Sequence, residues 1–129
     1  MELKAYFEQI SGLGILSTAD ASGRVDAAVY SRPHVMDDGS VAFIMRDRLT
    51  HNNLQSNPHA AYLFKEEGSG YAGKRLFLTK ISEEKETERL HELRRRRYPA
   101  DKERREASYL VFFNVDKVLP LVGPGRNSD

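Results

Sequence analysis

The chain has 129 residues, 40% of them apolar, which is enough for one compact domain and too few for two independent cores. Twenty Lys and Arg oppose 19 Asp and Glu, so no overall field draws the protein to nucleic acid or an anionic membrane, and any anion site has to be local. The absence of cysteine excludes disulfides, thiolate metal sites, iron–sulfur clusters and a cysteine nucleophile.

Over residues 2–10, Leu3, Tyr6, Phe7 and Ile10 recur at helical spacing and Gly12 follows as a stop, which predicts a short amphipathic helix. This opening stretch mixes charged and apolar residues and has no apolar signal core, and the longest clean apolar run, Tyr109 to Phe113, is too short to cross a bilayer. A cytoplasmic protein is expected. From Leu13 the pattern turns to β-prone stretches: Leu13 to Thr18, then Val25 to Arg32, then Val41 to Arg46, with turn residues between them. They read as an antiparallel meander. Asp38-Gly39 is the strongest turn signal, because Gly accepts positive φ and Asp tolerates left-handed geometry, so the strands it joins should be neighbours.

Leu49 to Ser56 reads as a short helix with Thr50 as its cap and Asn57-Pro58 as its end. His59 to Lys65 resumes as a strand, with Ala61 and Leu63 on one face and Tyr62 and Phe64 on the other. After a glycine-rich connection, Lys74 to Ile81 is a further strand that sets Leu76 and Leu78 against Arg75, Phe77 and Thr79. Ser82 to Tyr98 is expected as the longest helix, acidic at its start and basic at its end, capped by Ser82 and stopped by Pro99. A strand over Ser108 to Val115, a second extended piece over Lys117 to Val122 and a loose tail over 123–129 complete the chain. About six strands with attached helices argue for a mainly β fold, a small antiparallel barrel in a single domain over 1–129.

The basic run Arg94 to Arg97 is the most conspicuous charge feature. Its place at a helix end, balanced by acids upstream, favours a solvated helix terminus over a nucleic-acid contact. His34, His51, His59 and His91 never stand four apart, so no helical metal pair is present and no metal site is expected. Arg46 to Asn57 is more informative, because Arg46 and Arg48 precede Thr50 and His51 at the first turn of a helix. Unpaired backbone N–H groups there favour an anion such as a phosphate. The alternative is a plain threonine cap with both arginines in solvent. Upstream, the strand at Ala27 to Pro33 places Tyr30 and Arg32 on one face, which suits a planar, partly anionic ligand. A half-exposed strand with a cross-strand arginine would read the same way. Neither glycine-rich stretch has the spacing of a nucleotide loop.

The order AAVYSRP, a DG turn, VAFIMRDRLTHNNLQSNP, a strand and GKRLFLTKI resembles the pyridoxamine 5′-phosphate oxidase-like FMN-binding split-barrel superfamily over roughly residues 5–115. The resemblance implies a six-stranded split barrel and a homodimer with FMN at the subunit interface. It places Val29, Tyr30, Ser31 and Arg32 on the strand that meets the flavin ring, and Ile44 and Met45 as a pair lining the ring and ribityl chain. Arg48, Leu49, Thr50 and His51 would grip the phosphate, and Arg75 would reach the flavin from the next strand. This chain has Ala27 where members often carry Arg, Thr50 and His51 where many carry Ser with Lys or Arg, and no Arg- and Trp-containing ending. Oxidation of vitamin B6 is therefore not expected.

The implied function is a flavin-dependent oxidoreductase acting on a small substrate or electron donor, the protein positioning and tuning the cofactor. Tyr30 and Tyr71 would line the open face of the ring, and no acid–base residue is nominated. The rival readings are a non-catalytic flavin carrier or sensor, and a binder of haem or a deazaflavin with His34, His51 or His59 as axial ligand.

Overall fold

Residues 2–97 and 107–123 are described by the computed structural model. Helix α1 (Leu3–Gln9) buries the face its spacing predicts, with Tyr6 and Phe7 inside and Leu3 and Ile10 packed beside them. Strands β1 (Gly12–Ala19), β2 (Val25–Val29), β3 (His34–Val35) and β4 (Val41–Arg46) follow, then α2 (Leu49–Ser56), β5 (His59–Glu66), β6 (Gly73–Lys85), α3 (Glu88–Arg97) and β7 (Ser108–Pro120). The strands form one antiparallel sheet in the order β2-β1-β5-β6-β7-β4-β3. The sheet is not closed and has seven strands rather than six.

The extra strand comes from the stretch expected as one long strand over Val25 to Arg32. It ends at Val29, crosses the sheet and resumes as the two-residue β3, because Tyr30 to Pro33 has to pass from one sheet edge to the other. The Asp38-Gly39 turn closes a hairpin as predicted, with Gly39 at φ 91°, but it joins β4 to β3 rather than to β2. The order is therefore not a plain meander.

The alternation read from β5 and β6 holds. Tyr62, Phe64, Leu76 and Leu78 point into the core while Leu63 and Phe77 stay exposed. The core also takes Leu16, Val41, Phe43, Met45, Val111 and Phe113. Phe7 and Phe64 meet edge-on at 5.2 Å, so α1 plugs one end of the barrel.

Two expectations give way to long-range pairing. The helix expected from Ser82 begins only at Glu88, because β6 runs on through Ser82↔Phe112, Glu83↔Val111 and Lys85↔Tyr109. Glu86 then takes a left-handed turn at φ 49°, and Thr87 receives the Leu90 N–H at 3.3 Å in place of the Ser82 cap. The two extended pieces expected after residue 108 are one strand, with register shifts where Asp116 and Ile81 are the extra residues. The expected helix end at Tyr98-Pro99 and most of the expected tail lie outside the described residues. Among the described residues no helix is long and apolar enough to cross a membrane.

Candidate functional site

The barrel is split where two strand edges fail to meet. β2 is one edge of the sheet, and β3 covers β4 only at Val41 and Ala42. Phe43 to Arg46 therefore present an edge that no strand pairs among the described residues. Two adjoining clefts lie along this gap. The larger, about 410 Å³, is lined by Asp26, Ala28, Arg48, Leu49 and Thr50 at its α2 end. The smaller, about 240 Å³, reaches Ser31, Arg32, His34, Phe43, Arg94 and Ser108. Val29, Tyr30, Ile44, Met45 and Arg46 line both.

The wall between them is fixed from inside the barrel. The Tyr30 N–H donates to the Gly14 carbonyl at 3.0 Å. The core Tyr62 hydroxyl lies 3.2 Å from the Tyr30 carbonyl and 3.0 Å from that of Ser31, sharing its proton between them. The Tyr30 ring meets Phe43 edge-on at 6.0 Å. Burial pushes the Tyr30 hydroxyl above its ordinary value, and a hydrogen bond with Thr50 works the other way. That bond ties the ring wall to α2.

At the α2 end, Arg48 rather than Thr50 holds the cap position, with extended backbone and no side chain capping the first turn. Thr50 sits one position into the helix and is buried. The helix start lines the larger cleft together with Arg46 and Arg48, a combination of helix-terminal N–H groups and positive charge that favours an anion.

Other expected site residues have side chains held by contacts within the fold, some at the clefts and some away from them. Neighbouring strand residues face opposite ways: Met45 is a core residue at 2% exposure, while Ile44 faces outward and packs with the α3 cluster. Both residues line both clefts, with their side chains leaving β4 on opposite faces. Arg32 borders the smaller cleft, but its Nη1 donates to the Phe7 and Ile10 carbonyls, each at 3.0 Å, and closes the end of α1. His51 turns inward, with Nδ1 2.9 Å from Asp47, Nε2 3.1 Å from Glu83 and its ring stacked 3.8 Å from Tyr109. Both ring nitrogens of this imidazole are therefore engaged within the fold rather than turned to the cleft. Arg75 lines neither cleft; its Nε and Nη2 donate to the Pro120 and Gly123 carbonyls. Tyr71 is exposed and lines neither cleft.

Arg94 and Ser108 were not singled out as binding residues, and His34 only as a possible axial ligand to haem. Leu90, Leu93 and Arg94 share one helix face and are all buried. That i, i+3, i+4 spacing was the signal within the basic run that set Arg94 apart from Arg95 and Arg96.

No family model matches the sequence and no curated protein is significantly similar to it. Solved structures do match. An FMN-binding protein from Syntrophomonas wolfei superposes with a TM-score of 0.74 at 18% identity, over 95% of this chain and 86% of that one. A Lactobacillus delbrueckii protein provisionally named a pyridoxamine 5′-phosphate oxidase gives 0.68 at 16% identity over 92% of both chains. The haem storage protein HutZ from Vibrio cholerae gives 0.63 at 16% identity, again over 92% of both. The chain thus has the split-barrel fold of the pyridoxamine 5′-phosphate oxidase-like proteins.

Proposed function

We propose that the protein binds FMN in the paired clefts and is a flavin-dependent oxidoreductase acting on a small substrate. The observation that carries this reading is the continuity of the two clefts along Val29, Tyr30, Ile44, Met45 and Arg46. One end offers an anion socket at Arg48, Leu49 and Thr50, and the middle offers a flat wall of strand backbone with apolar side chains. The socket suits a phosphate and the wall suits a planar ring. Bound there, FMN supplies hydride or electron transfer, and the chain's own residues hold it. The α2 N-terminus with Arg48 fixes the phosphate, and the Tyr62-braced strand at Tyr30 and Ser31 sets the ring's plane.

A homodimer belongs to the same proposal. Val29, Ile15, Leu63 and Arg75 lie in one row across the outer face of β2, β1, β5 and β6. Val29 is 70% and Leu63 41% exposed, and Phe77 stands in the next row. An apolar strip of this kind on a sheet marks an association surface, and Val29 carries it to the rim of the cleft.

The test is the absorption spectrum of the purified protein with and without added FMN, followed by turnover with NAD(P)H. A flavin spectrum at one FMN per chain with steady turnover supports the oxidoreductase. Tight FMN binding without turnover makes the protein a flavin carrier, and no binding removes the reading. Haem is the second reading, because His34 alone of the three candidate axial ligands lines a cleft. An intense haem band lost in His34→Ala would establish it. The protein is expected to be located in the cytoplasm.

A further inference from the structure

Asp47 stands at the apex of a tight turn, with the Arg48 N–H donating to the Arg46 carbonyl at 2.9 Å. The two arginines that line the larger cleft therefore flank it, while Asp47 itself lines neither cleft. Its carboxylate lies 2.9 Å from His51 Nδ1, one helical turn on, and among the described residues His51 is its one side-chain partner.

The other ring nitrogen of His51, Nε2, lies 3.1 Å from both oxygens of Glu83. Two carboxylates are held at once only by an imidazole that carries a proton on each nitrogen. The ring is buried and stacks at 3.8 Å on Tyr109, which fixes its plane. The two carboxylates differ in what else holds them. Glu83 also receives Lys80 Nζ at 2.8 Å and Gln55 Nε2 at 3.1 Å. Asp47 is 62% exposed. Without the His51 donor, Asp47 is a loose carboxylate one residue from each of two guanidinium groups, the same charge-assisted partners that a phosphate needs.

We infer that His51 is a positioning residue for the proposed anion socket: its Nδ1–H holds the Asp47 carboxylate back from Arg46 and Arg48, and so keeps an internal competitor of the phosphate out of the larger cleft. The latch rests on the flavin reading only for the identity of the anion. His51 needs no contact with the anion in this role, in keeping with its place behind the cleft wall. Lys80, Gln55, Glu83 and Tyr109 set the ring, and Asp47 is what the ring restrains.

The experiment is fluorescence titration of the full chain with FMN and with riboflavin, and calorimetric titration of the flavin-free chain with sulfate. The proteins compared are the parent, His51→Phe, Asp47→Asn and the double variant. Phenylalanine keeps a ring against Tyr109 and removes both donors. His51→Phe is expected to weaken FMN about tenfold and sulfate about fivefold, while riboflavin changes by less than about twofold. Asp47→Asn, which removes the competing charge, leaves FMN within about twofold of the parent, and the double variant recovers FMN to within about threefold of it. A ring that merely supported α2 would give no such recovery. A double variant as weak as His51→Phe, or equal losses for FMN and riboflavin, would overturn the inference. If His51→Phe loses its native circular dichroism, His51→Gln takes its place. One amide nitrogen cannot serve carboxylates on opposite sides of the ring, so the same order of affinities is expected. Should FMN fail to bind the parent, the flavin reading falls alone, because sulfate still reads the socket. Sulfate binding that His51→Phe leaves unchanged, or a parent that binds no sulfate, would overturn the latch.

Discussion

The Tyr62 hydroxyl occupies the space that a Cβ on Gly14 would need, and from there it reaches the carbonyls of Tyr30 and Ser31 across the mouth of the barrel. A glycine on β1 thus lets a core tyrosine pass its hydroxyl to the strand that walls the candidate site. Gly14→Ala should expel that hydroxyl and leave buried carbonyls short of a donor. The expected loss is about 2–4 kcal/mol, or roughly 5–12 °C in Tm. Tyr62→Phe should cost about 1–3 kcal/mol by removing the donor without the clash. Thermal unfolding of both variants checks this, and a Gly14→Ala protein as stable as the parent contradicts the packing.

Glu83 sets an acid limit on stability. Burial raises its carboxyl, but hydrogen bonds from Lys80, Gln55 and His51 outweigh that effect and hold it at about 2 against an ordinary 4.5. A group lowered on folding stabilises the fold above its unfolded value. The contribution is present at neutral pH and lost as pH falls through the window from about 4.5 to about 2. Its size, allowing for partial exposure, is about 2 kcal/mol. Urea unfolding should find Glu83→Gln weaker than the parent at pH 6, with the two converging toward pH 2.5. A gap that persists unchanged in acid would contradict the assignment.

The anion socket proposed at α2 has its own test. Arg48→Ala with Thr50→Ala removes the guanidinium at the helix start and the Thr50 hydroxyl bonded to Tyr30. FMN affinity is expected to fall by about 2–4 kcal/mol, while riboflavin, which lacks the phosphate, should lose much less. Fluorescence-quenching titration with the two flavins separates the outcomes, and equal losses would place the phosphate elsewhere.

The dimer proposed through the outer strip of β1, β2, β5 and β6 is tested by charging that strip. Leu63 neighbours Ile15 on one side and Arg75 on the other, so Leu63→Glu puts a carboxylate in the middle of the apolar row. Light scattering is expected to show a dimer for the parent and a monomer for the variant, both with native circular dichroism. An unchanged mass would remove this face as the interface.

Local pattern was enough for α1, for the bounds of α2 and for the alternation of β5 and β6, because each depends on residues within a few positions of one another. It failed at Ser82 to Lys85. Four residues with acidic helix-start character are drawn into β6 by pairing with Tyr109 to Phe112, partners far away in the chain. The site divides in the same way. Val29, Tyr30 and Ser31 and the Arg48 to Thr50 turn were legible as motifs, and the structure brings them to one gap. His51, Arg32 and Arg75 carried chemistry suited to an anionic ligand, yet the structure engages each side chain with partners inside the fold, which no motif shows. His51 meets the Asp47 and Glu83 carboxylates, Arg32 closes the end of α1, and Arg75 ties down the end of β7.

By itself the sequence determined a mainly β fold with an amphipathic opening helix, and a short helix that starts at Leu49. Hydrophobic period and turn chemistry are written in neighbouring residues. The tertiary structure alone decided where the barrel stays open, and that Arg94 faces the gap rather than solvent. The edge that β3 leaves uncovered on β4, and the seat of α3 on β4 and β7, arise from contacts between segments distant in the chain. No local pattern encodes which of several arginines such contacts will bury.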